Sequence, residues 1–480
     1  MVIAGIRATE EHTLEPPRPT GFARLLIPLV VAFAFFLEQL DQTIIATAIP
    51  QMASGLGETP LRMNIALTSY ILALAIFIPV SGWMADRFGM RRIFCTAIAV
   101  FTLGSVACGA SVNLPMLLAS RFLQGIGGAM MTPVGRLILL RSFPRSEFIA
   151  AMTWVSIPSV LGPVMGPLVG GFITTYWSWR WIFYVNVPFG LAGIALALHV
   201  VRPGGGRSDE PFDWTGFMLC GIGLSILQFG IENLNHPMVP PVAVVGLFVA
   251  GAALLVSYAR YSHGRRNAAL DLSLFRVRTF RVIVLHGTIA RMAVNTVPFA
   301  LPLMLQVGFG MSPLESGEIT FASAIGAVAM RAVTIMLLRA LGFKQVLVWN
   351  TILACFGVAG FALFRASTPY WLMIAYVMAF GMVRSTQFNT QQTLTFANIT
   401  STRLSRATSL AGVMQQLSVG FGVSMAATLL AMVGTPGHLT VANFHTAFLL
   451  AGLVPLLAMP GFLRLKANDG ALVSGHRRSA

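Results

Sequence analysis

Charge is what this sequence is short of. Only 10% of its 480 residues are Asp, Glu, Lys or Arg, against about 25% in an ordinary soluble domain. Acid is scarcer than base, with 16 Asp and Glu against 32 Lys and Arg. Hydrophobic residues make up 56% of the chain, and the mean hydropathy is +0.77. A soluble globule cannot hide that much apolar surface, so the surrounding solvent is expected to be lipid. Lipid gives backbone groups no hydrogen-bond partner, which leaves helices or closed barrels as the crossing structures. Barrel strands would be alternating segments of about 10 residues. The apolar runs here reach about 20 residues, the length of a spanning helix. The expected fold class is all-α integral membrane.

Cysteine is equally sparse. Cys95, Cys108, Cys220 and Cys355 each sit alone inside an apolar run, with no CxxC and no metal-ligand spacing. No disulfide framework and no metal site are expected. Also missing are a phosphate loop, an HExxH pair and any Ser/His/Asp order, so an integral membrane enzyme ranks last among the functions considered. No cofactor is expected. The first 20 residues lack the basic start and short apolar core of a signal peptide. They are polar and contain Glu15-Pro16-Pro17-Arg18-Pro19. Residues 1–23 therefore read as a disordered cytoplasmic tail, and residues 467–480 as another.

The formal net charge is +16 and the isoelectric point near 11.0. On a soluble chain this would suggest nucleic acid. Here the basic residues recur in short gaps between apolar runs, which is a topology signal and not a nucleic-acid patch. Fourteen spans are expected, at about 24–50, 61–84, 91–111, 114–137, 148–175, 180–201, 213–232, 238–259, 279–306, 316–339, 344–366, 370–393, 408–433 and 442–465, with ends good to about two to four residues. The first, fifth and ninth are long enough to require tilt or a kink. An even number places both termini on one side of the membrane. Most basic residues fall in the tails or in loops after even-numbered spans, whereas only Arg62, Arg180 and Arg365 fall in the other loops. The positive-inside rule then puts both termini in the cytoplasm, with the chain in the cell (inner) membrane.

The spans divide as six, two and six. Residues 24–202 form a first six-helix bundle, ending at Arg202-Pro203-Gly204-Gly205-Gly206-Arg207. Residues 203–274 hold two additional spans and a basic cytoplasmic loop. That loop, about 260–281, carries Arg260, Arg265, Arg266, Arg276, Arg278 and Arg281. Residues 275–466 form a second six-helix bundle. Two six-helix bundles imply a parallel internal repeat. The loop Asp86–Arg92 has a degenerate counterpart at Arg339-Ala340-Leu341-Gly342-Phe343-Lys344.

Four stretches carry chemistry. Gly82-Trp83-Met84-Ala85-Asp86-Arg87-Phe88-Gly89-Met90-Arg91-Arg92 joins spans two and three. Gly82 is expected to let helices approach, Gly89 to supply a turn at low steric cost, and Asp86 to pair with arginines as a latch. In span four, Arg121 lies roughly 10 Å inside the outer end at the helical rise. A charge there costs about 2.5–3.5 kcal/mol on insertion scales, so it needs a partner or must snorkel outward. In span five, Gly162-Pro163, Gly166-Pro167 and Gly170-Gly171 place glycines at i, i+4 and i+8, one smooth face for tight packing. In span one, Glu38 and Asp41 lie three residues apart on one helix face, followed by Thr43 and Pro50. A buried carboxylate between desolvation and a nearby cation can load and unload a proton. A structural ion pair of Asp41 with Arg121 is the plainer alternative.

Together these stretches resemble the major facilitator superfamily, and specifically its fourteen-span drug:proton antiporter branch of the EmrB/QacA type. Gly82–Arg92 resembles the superfamily's loop 2–3 motif, Arg121–Gly128 its span-four motif and Gly162–Gly171 the antiporter motif of span five. Leu40–Pro50 is similar to the branch's first-span motif, and Trp179–Pro188 to its span-six entry. The likeness runs from about residue 24 to 465. It implies a major facilitator fold of two six-helix bundles plus two extra helices. It also implies proton-coupling roles for Asp41 and Arg121. Two departures stand out: Ala46 replaces an asparagine usual in the first-span motif, and Glu38 stands where many relatives have a neutral residue.

The second half holds no deep acid but three deep arginines, Arg291, Arg331 and Arg384, each about 12–15 residues from a span end and so near the midplane. Asn295, Gln387, Gln391 and Gln415 lie nearby in sequence. Arginine forks suit carboxylate or phosphate, although pairing with backbone carbonyls explains them as well. These residues and Glu38 are the expected substrate contacts. The expected function is proton-gradient-driven export of small amphipathic compounds or drugs. The alternative is export of an anionic metabolite or a metal–organic acid chelate. The expected partners are the lipid bilayer, protons and a small-molecule substrate, with the protein acting as a monomer and an accessory periplasmic protein left open.

Overall fold

The computed structural model describes residues 23–143, 145–203, 211–235, 239–265, 268–400, 403–434 and 439–470. Of the expected tails 1–23 and 467–480, residues 1–22 and 471–480 lie outside the described residues, as do Gly204 to Arg207 of the linker; within the second, Asp469 pairs with Arg278 at 2.6 Å. Within them the secondary structure is helical throughout, with no strand.

Span one is Ala23–Ile44, which tightens at Ile45–Thr47 and resumes as Ile49–Leu56. Spans two to five are Asn64–Phe88, Met90–Gly109, Leu114–Ser142 and Arg145–Tyr176. Span six is Trp181–Tyr184 followed by Asn186–Val200, and spans seven and eight are Trp214–Asn235 and Pro241–Ser262. Span nine runs as Arg278–Val294 and Val297–Leu303, then widens into a π-helical turn through Met304–Gly308. Spans ten and eleven lie within Pro313–Ala359 and part at Gly342. Tyr370–Phe396, Leu404–Val433 and Val441–Leu453, the last prolonged to Leu463, complete the fourteen. Eleven of these segments are long and apolar enough by themselves to cross a membrane. Tyr370–Phe396 is more polar because it carries Arg384 and a run of Gln, Asn and Thr.

The long spans behave unequally. Spans one and nine break near their middles, whereas span five runs unbroken for 32 residues. Gly89 and Gly342 share a cause. Each takes a positive φ, 93° and 76°, at the turn between the second and third span of its half. That backbone geometry is open to glycine and strained for other residues. The two loops that looked alike in sequence therefore turn alike.

The termini and the loops after even-numbered spans share one end of the bundle, the terminal end; the other loops share the far end. At the far end one apolar core joins both halves, from Ile44, Ile49 and Phe183 to Phe299, Leu301 and Phe448. Toward the terminal end each half also has a core of its own, one around Phe35, Phe94 and Phe101, the other around Phe343, Leu347 and Phe462, and a smaller core of Ala75, Leu224, Phe280 and Leu410 bridges spans two, seven, nine and thirteen. Between the halves, span two packs on span thirteen and span five on span ten. Spans seven and eight pair with each other, and span seven also touches spans two and thirteen. Span eight exposes Val242, Val245, Val249 and Val256 on the outside of the bundle, the surface expected to face lipid.

Candidate functional site

A cavity of about 380 Å³ lies between the halves. Spans one, two, four and five contribute Gln39, Gln42, Thr43, Tyr70, Arg121, Pro163 and Pro167; spans nine, ten, twelve and thirteen contribute Arg291, Asn295, Arg331, Arg384, Gln387 and Gln415. Four arginines and no acid line it among the described residues. Its volume is that of a site for a drug-sized molecule.

In the first half, the deep charges Asp41 and Arg121 meet each other. Asp41 and Arg121 are both 0% exposed. Arg121 Nη1 donates to Asp41 Oδ2 at 2.6 Å and to Gln124 Oε1 at 2.6 Å, and its Nε donates to the Ala66 carbonyl at 3.2 Å. Gln124 Nε2 donates to the other Asp41 oxygen at 2.8 Å and to Ser105 at 2.7 Å. Asn186 Nδ2 reaches the same Asp41 oxygen at 3.2 Å. The guanidinium also lies 4.3 Å from the Tyr70 ring centroid, a cation–π contact strengthened by its desolvation. Arg121 does not snorkel to a surface; the ion pair holds it. Its Nη2 has no hydrogen-bond partner. The neutral members Ser105, Gln124 and Asn186 were not singled out from the sequence. Gln124 and Asn186 lie inside quoted motifs, but a neutral residue gives no signal of its own there.

One turn from Asp41, Glu38 accepts from Thr132 of span four at 2.6 Å and is buried. It faces the interior of the first half and is not among the residues that line the cavity. Arg136, one turn on from Thr132, stacks over Phe35 at 5.9 Å, and its Nε has no hydrogen-bond partner. Ala46, at the position of the expected asparagine, borders the cavity.

Span five brings this centre close to the cavity. A methyl on Gly162 would meet Gln39 and the Phe36 carbonyl, one on Gly166 would meet Thr43, and one on Gly170 would meet the Ile44 carbonyl and Thr47. The glycine stripe therefore seats span five on span one along the face next to Asp41. Gly171 instead approaches Pro313 and Leu314 of span ten, across the boundary between the halves. Pro163 and Pro167 turn toward the cavity.

The loop between spans two and three sits at the terminal end. Asp86 pairs with Arg141 of span four at 2.6 Å, both about half exposed. Arg91 Nη1 reaches the Val201 carbonyl at the end of span six at 3.4 Å. Gly82 differs from expectation: nothing lies within 4 Å of where its Cβ would be. No neighbouring helix packs against it.

In the second half the polar groups are left over. No carboxylate pairs with Arg291, Arg331 or Arg384 among the described residues, and the Arg291 Nε has no partner. Asn350 Nδ2 donates to Gln387 Oε1 at 2.7 Å, but Gln387 Nε2 is unpartnered. Gln391 is fully buried against Gly287, off the cavity wall, and neither of its side-chain polar atoms has a partner. Arg291, Asn295, Arg331, Arg384, Gln387 and Gln415 thus share one cavity, and Gln391 lies behind it.

A further buried acid was not anticipated. Glu232 is 5% exposed on span seven. The expected span ended at residue 232, which placed Glu232 at a membrane edge; the helix runs on to Asn235.

The sequence pattern of the Major Facilitator Superfamily matches residues 31–261 and 283–477. A protein of Pectobacterium carotovorum named multidrug resistance protein MdtD is 39% identical over 440 residues, covering 90% of this chain and 94% of that one. A protein of the same name from Escherichia coli is 36% identical over 463 residues, covering 94% and 97%. Among solved structures, a D-xylose–proton symporter superposes with a TM-score of 0.66 at 16% identity, covering 93% of this chain and 99% of that one. The xylose transporter XylE of Escherichia coli, in an inward open conformation, superposes at 0.61 and 14% identity, covering 93% and 99%. At that identity the structural likeness speaks for the fold alone.

Proposed function

The chain belongs to the major facilitator superfamily and is a multi-pass membrane transporter, not an enzyme, and from that premise we propose that it exports small amphipathic compounds from the cytoplasm in exchange for protons. Both termini and the terminal end then face the cytoplasm, and the far end faces outward. The observation that carries the proposal is the Asp41–Arg121 pair at 2.6 Å, with Arg121 on the cavity wall and Asp41 sealed behind it. A proton on Asp41 would cancel the charge that holds Arg121. The guanidinium would then be left in a low-dielectric site without its counterion, which favours its turning to the cavity or to a substrate there. Proton binding and substrate binding thereby compete for one arginine, which is the requirement for exchange.

The cavity changes sides by rocking of the two halves. The far-end core that joins them must open, and the terminal-end cores around Phe35 and Phe343 must approach each other. The glycine contacts of span five on span one keep the proton centre intact while the boundary with span ten moves. The relatives' name supports drug-like cargo. One observation favours a second reading, export of an anionic metabolite or a metal–organic acid chelate: the cavity wall holds four arginines and no acid, a lining suited to carboxylates. The test of the main proposal is proton-driven uptake of a cationic dye by inverted proteoliposomes. Asp41→Asn abolishes the pH-driven component while the protein stays folded; undiminished driving by the pH gradient overturns the assignment. Comparing retention of drugs and of organic acids by cells with and without the protein separates the two cargo readings.

A further inference from the structure

Spans seven and eight stand outside both six-helix halves, yet span seven brings a carboxylate to the seam between them. Glu232 lies toward the far end, buried where span two meets span thirteen. From span two, Asn64 Nδ2 donates to it at 2.8 Å and Thr68 Oγ1 at 3.0 Å. From span thirteen, Ser424 Oγ donates at 3.0 Å. From its own helix, one turn earlier, Gln228 Nε2 donates at 2.8 Å and also reaches Ser424 at 2.9 Å. One side chain thus binds both halves at the end where they are closed.

All four partners donate. An ionised carboxylate is acceptor-only and fits that ring. A proton on Glu232 would need a partner to turn round and accept it: the Asn64 amide, whose Oδ1 has no partner, or the Thr68 hydroxyl, which can donate instead to the Ile65 carbonyl at 3.3 Å. No cation balances the carboxylate among the described residues. The charged residues of the helices packed around it lie at the terminal end: Asp86 and Arg87 on span two, Arg260 on span eight and Arg406 on span thirteen. Arg62, just before span two, is taken by Glu58 at 2.7 Å. Tyr70 of span two faces Arg121, Tyr258 of span eight binds the Leu270 backbone, and Tyr261 binds Asp213. Cys220 of span seven lies three turns toward the terminal end. His236, four residues on in sequence, lies outside the described residues.

We propose that Glu232 is a proton-sensitive clasp by which the added helices hold the far end shut, ionised in the closed state and released when a proton from the exterior reaches it. Opening separates span two from span thirteen and so breaks the ring. An ion left without its donors in an apolar setting is costly, so the open state binds the proton more tightly. By linkage, protonation favours opening. The clasp sits apart from Asp41 and acts on the gate. This inference rests on the rocking reading above.

The experiment is a distance measurement between spin labels at the far ends of spans two and thirteen, by pulsed electron resonance in lipid nanodiscs. Wild type, Glu232→Gln and Ser424→Ala are compared from mildly alkaline to mildly acidic pH, in an Asp41→Asn, Glu38→Gln, His236→Gln background that removes the carboxyls of span one and the nearby histidine. The background protein opens as pH falls. Glu232→Gln shifts the open-to-closed ratio toward open by roughly tenfold, the size of losing one hydrogen bond to a charged group, and loses the pH dependence. Ser424→Ala shifts it the same way, less far. Unchanged distances in Glu232→Gln, or an unchanged pH dependence, overturn the clasp. If Glu232→Gln does not fold, Ser424→Ala decides alone, and no shift there overturns it. A single closed distance in every protein at every pH overturns the rocking reading and the clasp with it. Two populations that ignore Glu232 overturn only the clasp.

Discussion

The two halves share a fold but differ in how their deep charges are met. In the first, Asp41, Arg121, Gln124, Asn186 and Ser105 close a network in which charge meets charge and both carboxylate oxygens are bonded. In the second, Arg291, Arg331 and Arg384 have no acid, and Gln387 and Gln391 keep unpartnered amides. Buried polar groups are ordinarily satisfied, so unpartnered groups on a cavity wall mark where water or cargo belongs. The difference separates a dry half that stores and releases one proton from a wet half that meets the substrate. Both assignments are proposals, and each can be broken by substitution.

The largest effect belongs to the dry network. Arg121→Ala leaves Asp41 buried without its counterion, and breaking a buried pair in this way costs about 3–5 kcal/mol. A fall in thermal stability and loss of proton-driven transport are expected together. Asp41→Asn keeps the shape and is expected to cost stability far less while transport is lost. Melting and proteoliposome transport measured side by side check the contrast. If the two variants lose stability equally, the pair is only structural.

Packing gives the next contrast. Gly166→Leu would drive a side chain into Thr43 and force span five off span one; overpacking of this kind costs about 1–3 kcal/mol or more. Gly287→Ala meets only the Gln391 side chain, which no hydrogen bond holds, so it is expected to be nearly neutral. Detergent melting curves rank them. A Gly287→Ala loss as large as that of Gly166→Leu would show that Gln391 is held in place.

The wet half is then tested by ligand choice. Arg291→Ala and Arg384→Ala remove cations that have no partner to strand, so stability is expected to hold. Binding of an acidic ligand weakens about tenfold, the worth of a charge-assisted hydrogen bond, and binding of a cationic dye does not. Titration of both ligands against both variants decides; equal losses assign the arginines a structural role.

Much of this contrast is legible in sequence because charge in an apolar run is conspicuous. Asp41, Arg121 and the three arginines announce themselves by depth alone, and the glycines of span five by their four-residue spacing. What escapes is whatever depends on the angle around a helix or on its last turn. Glu38 and Asp41 share a face, as spacing requires, yet only the surroundings reveal that Glu38 meets Thr132. Gln391 lies one turn from Gln387 but behind the cavity wall. Glu232 was hidden by an error of one helical turn. Gly82, small and beside a charged loop, looked like a packing glycine but faces open space, since its neighbour is set by how the halves sit and not by local sequence.

The smallest effects are expected at the terminal end, where each half has an exposed ion pair. Asp86–Arg141 closes at 2.6 Å and Asp271–Arg403 at 3.0 Å. Exposed pairs are worth about 0–1 kcal/mol, so Asp86→Asn is expected to leave melting almost unchanged and to alter only the rate of switching between states. Asp271 carries a pH signature. Partial burial pulls its carboxyl up, but hydrogen bonds from Ser273 and the Arg403 guanidinium outweigh this and hold it below the usual carboxylate range. A carboxyl depressed by folding contributes stability above its unfolded value, about 3.9, and that contribution fades as pH falls through the folded value. Asp271→Asn should therefore lower melting slightly at neutral pH, make the acid limb of the profile shallower, and converge on wild type at low pH. An acid limb identical to wild type would mean that the Arg403 contact does not persist in solution.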